Sequence, residues 1–231
     1  MESNTPVDFA AGEVLLVDKP HTWTSFDVVR KVVYTLKPLK IKVGHAGTLD
    51  PLATGLLVLC TGKFTKRIAE FQAQEKEYTG VITLGATTPS YDLEQEIDQR
   101  FDVSGITDQQ IHEAAASFIG EIEQIPPAHS AIRMDGERVY EKARRGETVL
   151  VKPRTVQIHE FAITDINMPH VSFRVVCSKG TYIRSLAHDL GKALNNGAHL
   201  SELRRTKSGS FHVDDAWQLP DLIAHIRSVA Q

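Results

Sequence analysis

Apolar residues follow two different periods along the chain, and the periods change from one segment to the next. Segments with a period of two, or with a short unbroken apolar run, predict β-strands. They are residues 14–17, 56–61, 78–84, 154–166, 170–177 and 199–212. Helical spacing predicts helices at 24–36, 63–72, 108–118, 183–194 and 216–229, with Gly120 and Gly197 ending the third and fourth. Strands joined by hairpins and by helices predict an α+β fold with a mixed, mostly antiparallel sheet and helices packed against it.

Residues 128–153 are polar for their length and have little apolar surface to bury. They contain a short strand signal, a turn at Asp135-Gly136 and a basic helical stretch from Tyr140 to Arg145. We therefore expect an insertion that projects from the fold. The sequence has no internal repeat and no low-complexity linker, which predicts a single domain over 1–231, with a loose end at 1–12 and a helical tail at 214–231.

The stretch from Gly44 to Gly55 carries the most restrictive local signals of the chain. Its glycines allow backbone angles that a side chain would forbid. Pro51 fixes its own φ and pushes Asp50 toward an extended conformation, just ahead of the apolar run 56–60. This arrangement could place a catalytic carboxylate accurately. The same residues are also typical of a short helix that has Asp50 as its N-cap and Pro51 at its first position.

Composition narrows the class of protein. Hydrophobic content of 42% and charged content of 24% are ordinary for a soluble globular protein. No apolar run approaches about 18 residues and there is no basic-apolar leader, so we predict neither a membrane span nor a signal peptide. Cys60 and Cys177 lie in strand-like apolar surroundings, which indicates buried thiols and a cytoplasmic protein. The histidines and cysteines lack metal-ligand spacing, so we expect no metal, and no feature calls for a cofactor.

Charge is distributed unevenly along the chain. The net charge is −3, but residues 92–124 hold nine acids and one base, whereas the rest of the chain holds 25 bases and 20 acids. The cations gather at 63–67, 133–154 and 179–207. Segregation of this kind can give a mildly acidic protein one basic face that suits nucleic acid. Scattered, solvated lysines and arginines would give the same counts.

Five short segments stand out by their order and spacing. They are Leu15-Leu16-Val17-Asp18-Lys19-Pro20 with Thr24-Ser25, Gly44-His45 through Gly55, Lys76-Glu77-Tyr78, Ser178-Lys179-Gly180-Thr181-Tyr182-Ile183-Arg184, and Gly197-Ala198-His199-Leu200 through Leu203-Arg204-Arg205. Over residues 13–212 they resemble the tRNA pseudouridine synthase B (TruB) family. Gln124-Ile125-Pro126-Pro127 with Ser130-Ala131 also fits. Any one segment is a weak signal, whereas five in register are specific.

The resemblance implies an enzyme that isomerises uridine 55 in the T arm of tRNA to pseudouridine. Such an enzyme breaks the N-glycosidic bond, rotates the uracil and rejoins it through carbon, after flipping the base out of the RNA. The match makes Asp50 the catalytic carboxylate, by either a covalent or a glycal route, and Arg184 its partner. A guanidinium beside an enclosed carboxylate is expected to keep it ionised and oriented.

The resemblance also implies a set of residues around the flipped nucleotide. Tyr78 would lie against the uracil and transfer protons, His45 would fill the space near the displaced base, and Tyr182 and Leu203 would line the pocket. The alternatives are that Tyr78 is a core strand aromatic, His45 a cap of its own loop and Tyr182 a helix-packing residue. Lys19 belongs to the substrate-binding set, although it could simply shape the turn that supports the catalytic loop.

Asp92 and Lys179 complete the predicted substrate-binding set. Asp92 ends the loop Thr87-Thr88-Pro89-Ser90-Tyr91-Asp92, where related sequences often have Thr-Asp-Thr-x-x-Asp, and we match Asp92 alone to that pattern. The family's thumb-like RNA-gripping insertion corresponds to 128–153. Many members continue into a carboxy-terminal PUA domain, which we do not find before Gln231. We therefore expect weaker and more salt-sensitive tRNA binding than in longer relatives.

Two other classes of function compete with this hypothesis. One is a tRNA-binding or folding module whose chemistry is secondary or absent. The other is a hydrolase with Asp50 as nucleophile, which would need a second acid or base that spacing does not reveal. A restrained Asp with an Arg partner favours the isomerase. We expect tRNA as its partner, no membrane and no required protein partner, and a monomeric state.

Overall fold

A computed structural model of the chain describes residues 8–127, 133–134, 137–138 and 152–229. Its strands are β1 (Val14–Lys19), β2 (Val43–His45), β3 (Thr54–Thr61), β4 (Lys76–Leu84), β5 (Ala86–Thr87), β6 (Gln99–Arg100), β7 (Gly120–Gln124), β8 (Arg133–Met134), β9 (Glu137–Arg138), β10 (Arg154–Asn167), β11 (His170–Cys177), β12 (Ala198–Ser208), β13 (Phe211–His212) and β14 (Trp217–Gln218). Its helices are α1 (Ser25–Thr35), α2 (Ile68–Ala73), α3 (Asp108–Ala116), α4 (Ile183–Ala193) and α5 (Leu219–Val229). Short 3₁₀ helices span 37–39, 62–67 and 213–215.

Contacts between residues divide the chain into two compact units. The first unit comprises residues 1–78 and 204–231, and the second comprises 79–203. Strands β4 and β12 belong partly to each unit. In both units a mostly antiparallel sheet is accompanied by helices, so the predicted α+β class is confirmed.

In the first unit the strand order is β14-β1-β3-β12. Strand β3 is antiparallel to β1 along its whole length. On its other side it pairs with β2 near its end and, in parallel, with β12 near its start. Strand β2 lies inside the segment 39–55 that the sequence predicts as a loop, and it is too short to show an alternating pattern.

Helices α1 and α5 bury their apolar faces in one core with β1 and β3. The buried residues include Val17, Val28, Val32, Leu57, Leu59, Leu222 and Ile226. Full burial of an aliphatic side chain of this size contributes about 1.5–3 kcal/mol. Strand β1 alternates, so that Leu15, Val17 and Lys19 are its buried positions. Lys19 therefore lies on the core face of the strand, at its carboxyl end.

In the second unit the strand order is β12-β4-β11-β10-β7. The hairpin of β10 and β11 agrees closely with the two predicted strands, and its core includes an edge-to-face contact of Phe161 with Phe173. Strand β7 pairs antiparallel with β10. No apolar pattern predicts β7, because its inward positions carry few apolar residues. Helix α3 lies against β10 and α4.

Several predicted helix limits are wrong. The predicted helix 63–72 is α-helical only from residue 68, because its first part forms a 3₁₀ helix, and the α-helix runs on to Ala73. Gly120 begins strand β7 with φ of +110° rather than ending α3 directly. Asn195, with φ of +51°, leaves the helical region just after α4, before Gly197 is reached. Asparagine tolerates the left-handed region because its short polar side chain can bond locally.

The predicted turn at Asp135-Gly136 is flanked by β8 and β9, which pair antiparallel. The basic helical stretch 140–145 lies outside the described residues, as do most of the insertion 128–153 and the first seven residues of the predicted loose end.

Candidate active site

Asp50 lies in a turn and not in a helix. The amide of Ala53 donates to the carbonyl of Asp50 at 3.1 Å, and the chain enters strand β3 at Thr54. Gly55 has φ of +97°, and a Cβ there would lie 2.3 Å from the carbonyl oxygen of Arg205. The short-helix interpretation of this stretch is therefore wrong. The side chain of Asp50 is half-buried at the mouth of the turn.

Lys19 holds the turn from the side of β1. Its side chain is fully buried, and its ammonium donates to the carbonyl oxygens of Pro20 at 3.0 Å, Trp23 at 2.5 Å and Pro51 at 3.2 Å. Burial lowers the pKa of Lys19 to about 8, although the negative charge of Asp50 acts in the opposite direction. Lys19 therefore shapes the turn that follows Asp50, in agreement with the structural alternative for this residue. It also brings a positive charge close to Asp50.

Ser25 holds the turn from the side of α1. Its hydroxyl donates to the carbonyl of Leu49 at 3.2 Å and accepts from the amide of Leu49 at 2.8 Å. Thr24 caps the helix by accepting from the amide of Asp27, whose carboxylate accepts from the amide of Thr24. The first turn of α1 is thus fixed, and its Ser25 is bonded to the residue that precedes Asp50.

Arg205 contacts the same loop from β12. Its Nε donates to the carbonyl of Leu56 at 2.7 Å, and its Nη2 donates to the carbonyl of Gly47 at 3.1 Å. His45 lies between Gly44 and Gly47 in this loop and is half-buried. Burial lowers the pKa of His45, and the charge of Arg205 lowers it further, so the imidazole is neutral near pH 7.

Arg205 belongs to the last of the five segments, but the resemblance assigns it no role. One signal could have identified it. Successive residues of a strand point to opposite faces, so one member of the pair Arg204-Arg205 had to point inward. Arg204 is the half-exposed member, and its guanidinium donates to both carboxylate oxygens of Asp18, at 3.0 and 2.7 Å.

The segment Lys76-Glu77-Tyr78 opens strand β4. Lys76 is buried and donates to the carbonyls at the end of α2, those of Phe71, Gln72 and Gln74. The carboxylate of Glu77 accepts from the hydroxyl of Thr206 at 2.7 Å. Tyr78 is 9% exposed, and its place in the strand fits a core aromatic as well as a residue with one face toward a ligand.

In the second unit, Arg184 lies in the first turn of α4 and is 3% exposed. Its Nη1 donates to the carbonyl of Ser90 at 3.3 Å, and its Nε lies 3.6 Å from Oδ2 of Asp92. The backbone of Asp92 forms a bridge to Leu200, and its carbonyl accepts from the hydroxyls of Thr88 and Ser90. The predicted site residues Asp92 and Arg184 are therefore neighbours, in a loop with internal hydrogen bonds.

Tyr91, which lies between Ser90 and Asp92 in the loop, has φ of +63°. This region is costly for an aromatic residue. Its ring stacks on His188 of α4 with centroids 3.9 Å apart and planes 11° from parallel. Burial lowers the pKa of His188, which keeps the imidazole neutral, and raises the pKa of the adjacent Asp189. The stack holds the loop against the helix that carries Arg184.

Tyr182 immediately precedes α4 and is held by Gln124 at the end of β7. The amide of Tyr182 donates to Oε1 of Gln124 at 2.7 Å, and Nε2 of Gln124 donates to the carbonyl of Tyr182 at 3.0 Å. The guanidinium of Arg154 lies 4.4 Å from the centre of the Tyr182 ring. Lys179 is exposed in the preceding loop, and Leu203 is half-buried in β12.

Within its units, the structure brings together two groups of the predicted residues. The first unit collects Lys19, His45 and Asp50 around one loop, and the second places Asp92 beside Arg184. The pairing of Asp50 with Arg184 stays a prediction. Among residues 8–127 and 152–229, no group of three or more His, Cys, Asp or Glu side chains could hold a metal ion. In the same part of the chain, no helix is long and apolar enough to cross a membrane.

Comparison with known families settles the class of protein. Residues 31–183 match the family model of the TruB family pseudouridylate synthase N-terminal domain, and residues 184–230 match that of the tRNA pseudouridylate synthase B C-terminal domain. This chain belongs to the TruB family. The likeness of the five segments to TruB proteins therefore reflects membership of the family.

TruB relatives with similar sequences span nearly the same length. A protein from Flavobacterium johnsoniae named tRNA pseudouridine synthase B is 58% identical over 217 residues, covering 92% of this chain and 95% of its own. A protein of the same name from Chloroherpeton thalassium is 49% identical over 223 residues, covering 95% of this chain and 92% of its own.

Solved structures extend the TruB likeness to larger assemblies. A chain in the crystal structure of a Cbf5-Nop10-Gar1 complex is 31% identical with a TM-score of 0.73, and the match covers 96% of this chain and 60% of that one. A chain in the structure of an H/ACA RNP bound to a substrate RNA containing 2'-deoxyuridine is also 31% identical, with a TM-score of 0.68, and 52% of it is covered. This chain thus spans between half and three-fifths of these two solved chains.

Proposed function

We propose that this protein is a tRNA pseudouridine synthase that converts uridine 55 of the T arm to pseudouridine. The relatives named tRNA pseudouridine synthase B support the substrate class, because they are about half identical or more over nine-tenths of both chains. In the reaction the N-glycosidic bond breaks, the uracil rotates, and a ring carbon forms the new bond to the ribose. The proton on that carbon leaves, and the ring nitrogen released from the ribose gains a proton, so that substrate and product are isomers.

Asp50 is the catalytic carboxylate of this proposal. It acts on the sugar or the base, by covalent attack or by assisting a glycal-type route. The observation that carries the assignment is the turn at Asp50, which three inward side chains hold from β1, α1 and β12. A group that must meet a reacting atom has to be held to a fraction of an ångström, and buried supports of this kind supply that constraint.

Arg184 keeps the Asp50 carboxylate ionised and oriented in this proposal. The burial of Arg184 supports a role beyond solvation, since arginine is almost never buried without partners. Asp92 and Ser90 already orient its guanidinium. A planar guanidinium has donors in several directions, so it can contact a loop and a second carboxylate together.

The base must leave the RNA stack before Asp50 can reach it. Flipping costs a few kcal/mol, and stacking on an aromatic side chain returns about 1–3 kcal/mol per base. We assign Tyr78 to the face of the flipped uracil and to proton transfer, His45 to the space near the displaced base, and Tyr182 and Leu203 to the pocket wall. Neutral His45 suits this position, because an uncharged imidazole can enter a base stack at little desolvation cost.

The remaining parts of the proposal concern RNA binding, cellular location and oligomeric state. Asp92, Lys19, Lys179 and the insertion 128–153 complete the RNA-binding set, and residues 1–231 act as one catalytic domain. The protein works in the cytoplasm as a monomer and needs no protein partner. The burial of Cys60 and Cys177 in apolar surroundings supports a reducing compartment. Light scattering of the purified protein, alone and with tRNA, tests whether the protein is monomeric.

The deciding experiment is incubation with unmodified tRNA, followed by mass-spectrometric mapping of modified uridines. Wild type should convert uridine 55, and Asp50→Asn should abolish conversion while still binding tRNA. Asp215→Asn, at an exposed acid outside the loop, is the matched control and should convert tRNA normally. A folding module would instead retain its biological function in Asp50→Asn. Pseudouridine made by Asp50→Asn at the wild-type rate would refute the assignment.

A further inference from the structure

Arg205 joins two points of the main chain on either side of Asp50. Its Nη2 donates to the carbonyl of Gly47, three residues before Asp50, and its Nε donates to the carbonyl of Leu56, six residues after it. The side chain is 1% exposed, so water does not compete for these bonds. One planar guanidinium therefore sets the separation between the two arms of the catalytic loop.

The backbone of Arg205 contacts the same loop at a third point. Arg205 pairs with Gly55 in the parallel register of β12 and β3. A Cβ at position 55 would lie 2.3 Å from the carbonyl oxygen of Arg205 and 2.8 Å from its amide nitrogen. Because Gly55 lets the two strands approach this closely, the side chain of Arg205 can extend under the loop and reach both Gly47 and Leu56.

We propose that Arg205 is a positioning residue for Asp50, which closes the base of the catalytic loop through the carbonyls of Gly47 and Leu56. The inference rests on the proposed function, since it assigns Arg205 to the same reaction. Arg205 acts through the main chain and has no contact with substrate. Loss of its two bonds would let residues 47 and 56 separate and would displace the carboxylate from the reacting atom.

Two properties of arginine matter here. Its fork donates from Nε and Nη2 in different directions, whereas the single ammonium of lysine is a point donor. Its charge also reaches the neighbours of Asp50, because it opposes protonation of both His45 and Lys19. The burial of the two groups is the larger cause in each case, and Arg205 adds to it. Bridging and charge can therefore be tested separately.

The test compares Arg205→Lys and Arg205→Gln with wild type. Arg205→Lys keeps the charge and loses the bridge, and Arg205→Gln loses the charge. We expect kcat for pseudouridine formation to fall about 10- to 100-fold in both, with the KM for tRNA changed less than about threefold. The pKa of His45, followed by imidazole proton NMR, should rise in Arg205→Gln and stay near the wild-type value in Arg205→Lys. Arg204→Lys, at the half-exposed neighbour that pairs with Asp18, is the matched control and should change none of these quantities.

Two results would overturn the proposal. One is a wild-type kcat in folded Arg205→Lys, and the other is a His45 pKa that is the same in wild type, Arg205→Lys and Arg205→Gln. Circular dichroism and thermal melting show whether Arg205→Gln folds. If it does not, the kcat of Arg205→Lys alone decides whether the proposal holds. The proposed function fails separately, when wild type leaves uridine 55 unmodified, and in that case the His45 titration still measures whether Arg205 reaches the loop.

Discussion

Two regions that hold predicted site residues use buried cations in different ways. Around Asp50 the cations Lys19 and Arg205 donate to main-chain carbonyls, whereas the guanidinium of Arg184 lies beside the carboxylate of Asp92. Carbonyl contacts fix the course of the backbone and leave the positive charge of the cation in place. A carboxylate neighbour orients the cation and balances its charge. The contacts of the first region thus fix the position of the backbone around Asp50. The contacts of the second region fix the direction of the Arg184 side chain and balance its charge.

The largest effect should come from breaking the second region at Arg184. In the proposed mechanism Arg184 stabilises the charge of the Asp50 carboxylate, so we expect Arg184→Gln to lower kcat about 10²- to 10³-fold. It also leaves Asp92 buried without its cation, which should lower the free energy of unfolding by about 3–5 kcal/mol. Pseudouridine formation and urea denaturation measure the two effects.

The double variant Arg184→Gln/Asp92→Asn sharpens this comparison. Removal of both charges should restore part of the lost stability, because a neutral pair costs less to bury than a single charge. Activity should stay low, since Arg184 is still missing. Equal stability of the single and double variants would show that the 3.6 Å contact has no energetic role.

Lys19→Met tests the first region by removing three donors to carbonyls. We expect the free energy of unfolding to fall by about 1–3 kcal/mol, because the carbonyls of Pro20, Trp23 and Pro51 lose a buried partner. Lys63→Met, at an exposed lysine, is the control and should be neutral. An unchanged denaturation midpoint in Lys19→Met would contradict this account.

Lys19 also predicts a pH dependence of stability. Its pKa is about 8 in the folded protein and 10.5 ordinarily, so between these values the unfolded chain binds more protons at this site. The contribution of Lys19 to the free energy of unfolding should therefore increase as the pH rises from about 8 to about 10.5, and should be constant below that window. The stability difference between wild type and Lys19→Met, measured at pH 7 and pH 10, should be larger at pH 10.

Ser25→Ala removes a smaller support of the same loop. The amide and carbonyl of Leu49 each lose one hydrogen bond, and we expect a destabilisation of about 1–2 kcal/mol with a reduced kcat. Ser117→Ala, at an exposed serine whose hydroxyl donates to the carbonyl of Ala114 in its own helix, serves as the control. A reduction in kcat in both variants would assign the effect to something other than the loop.

The smallest effect should come from the ring stack of the second region. A double-mutant cycle with Tyr91→Ala and His188→Ala should give a coupling of about 0.5–1.5 kcal/mol. Tyr91→Phe keeps the ring stack and should retain most of the coupling energy. Tyr91→Gly should be less destabilising than Tyr91→Ala, because glycine relieves the positive φ that alanine keeps. A coupling near zero would mean that the rings touch without holding the loop.

The sequence predicted the long elements well and the supports of the site poorly. The hairpin 154–177 and helix α4 have strong periodic patterns, so local sequence determines them. Strands β2 and β7 have no such pattern, because β2 has only three residues and the inward positions of β7 carry few apolar residues.

The motifs singled out Asp50 and Arg184, and they also offered Lys19 as a residue that shapes the supporting turn. Arg205 stood in a motif without a role, because it acts through main-chain carbonyls, which carry no sequence identity. The contact of Arg184 with Asp92 depends on how the loop 88–92 folds back on α4. Both cases need the tertiary structure, because the interacting residues are separated by tens of positions.

Lys19 gives this protein a built-in reporter of local opening. An amine with a pKa near 8 is a good nucleophile at mild pH, yet this one is sealed from solvent and bonded to three carbonyl groups. Acylating reagents should label it only in the brief intervals when the chain around Pro51 comes loose. The rate of modification at this lysine, relative to the surface lysines, would then measure how often the protein loosens there.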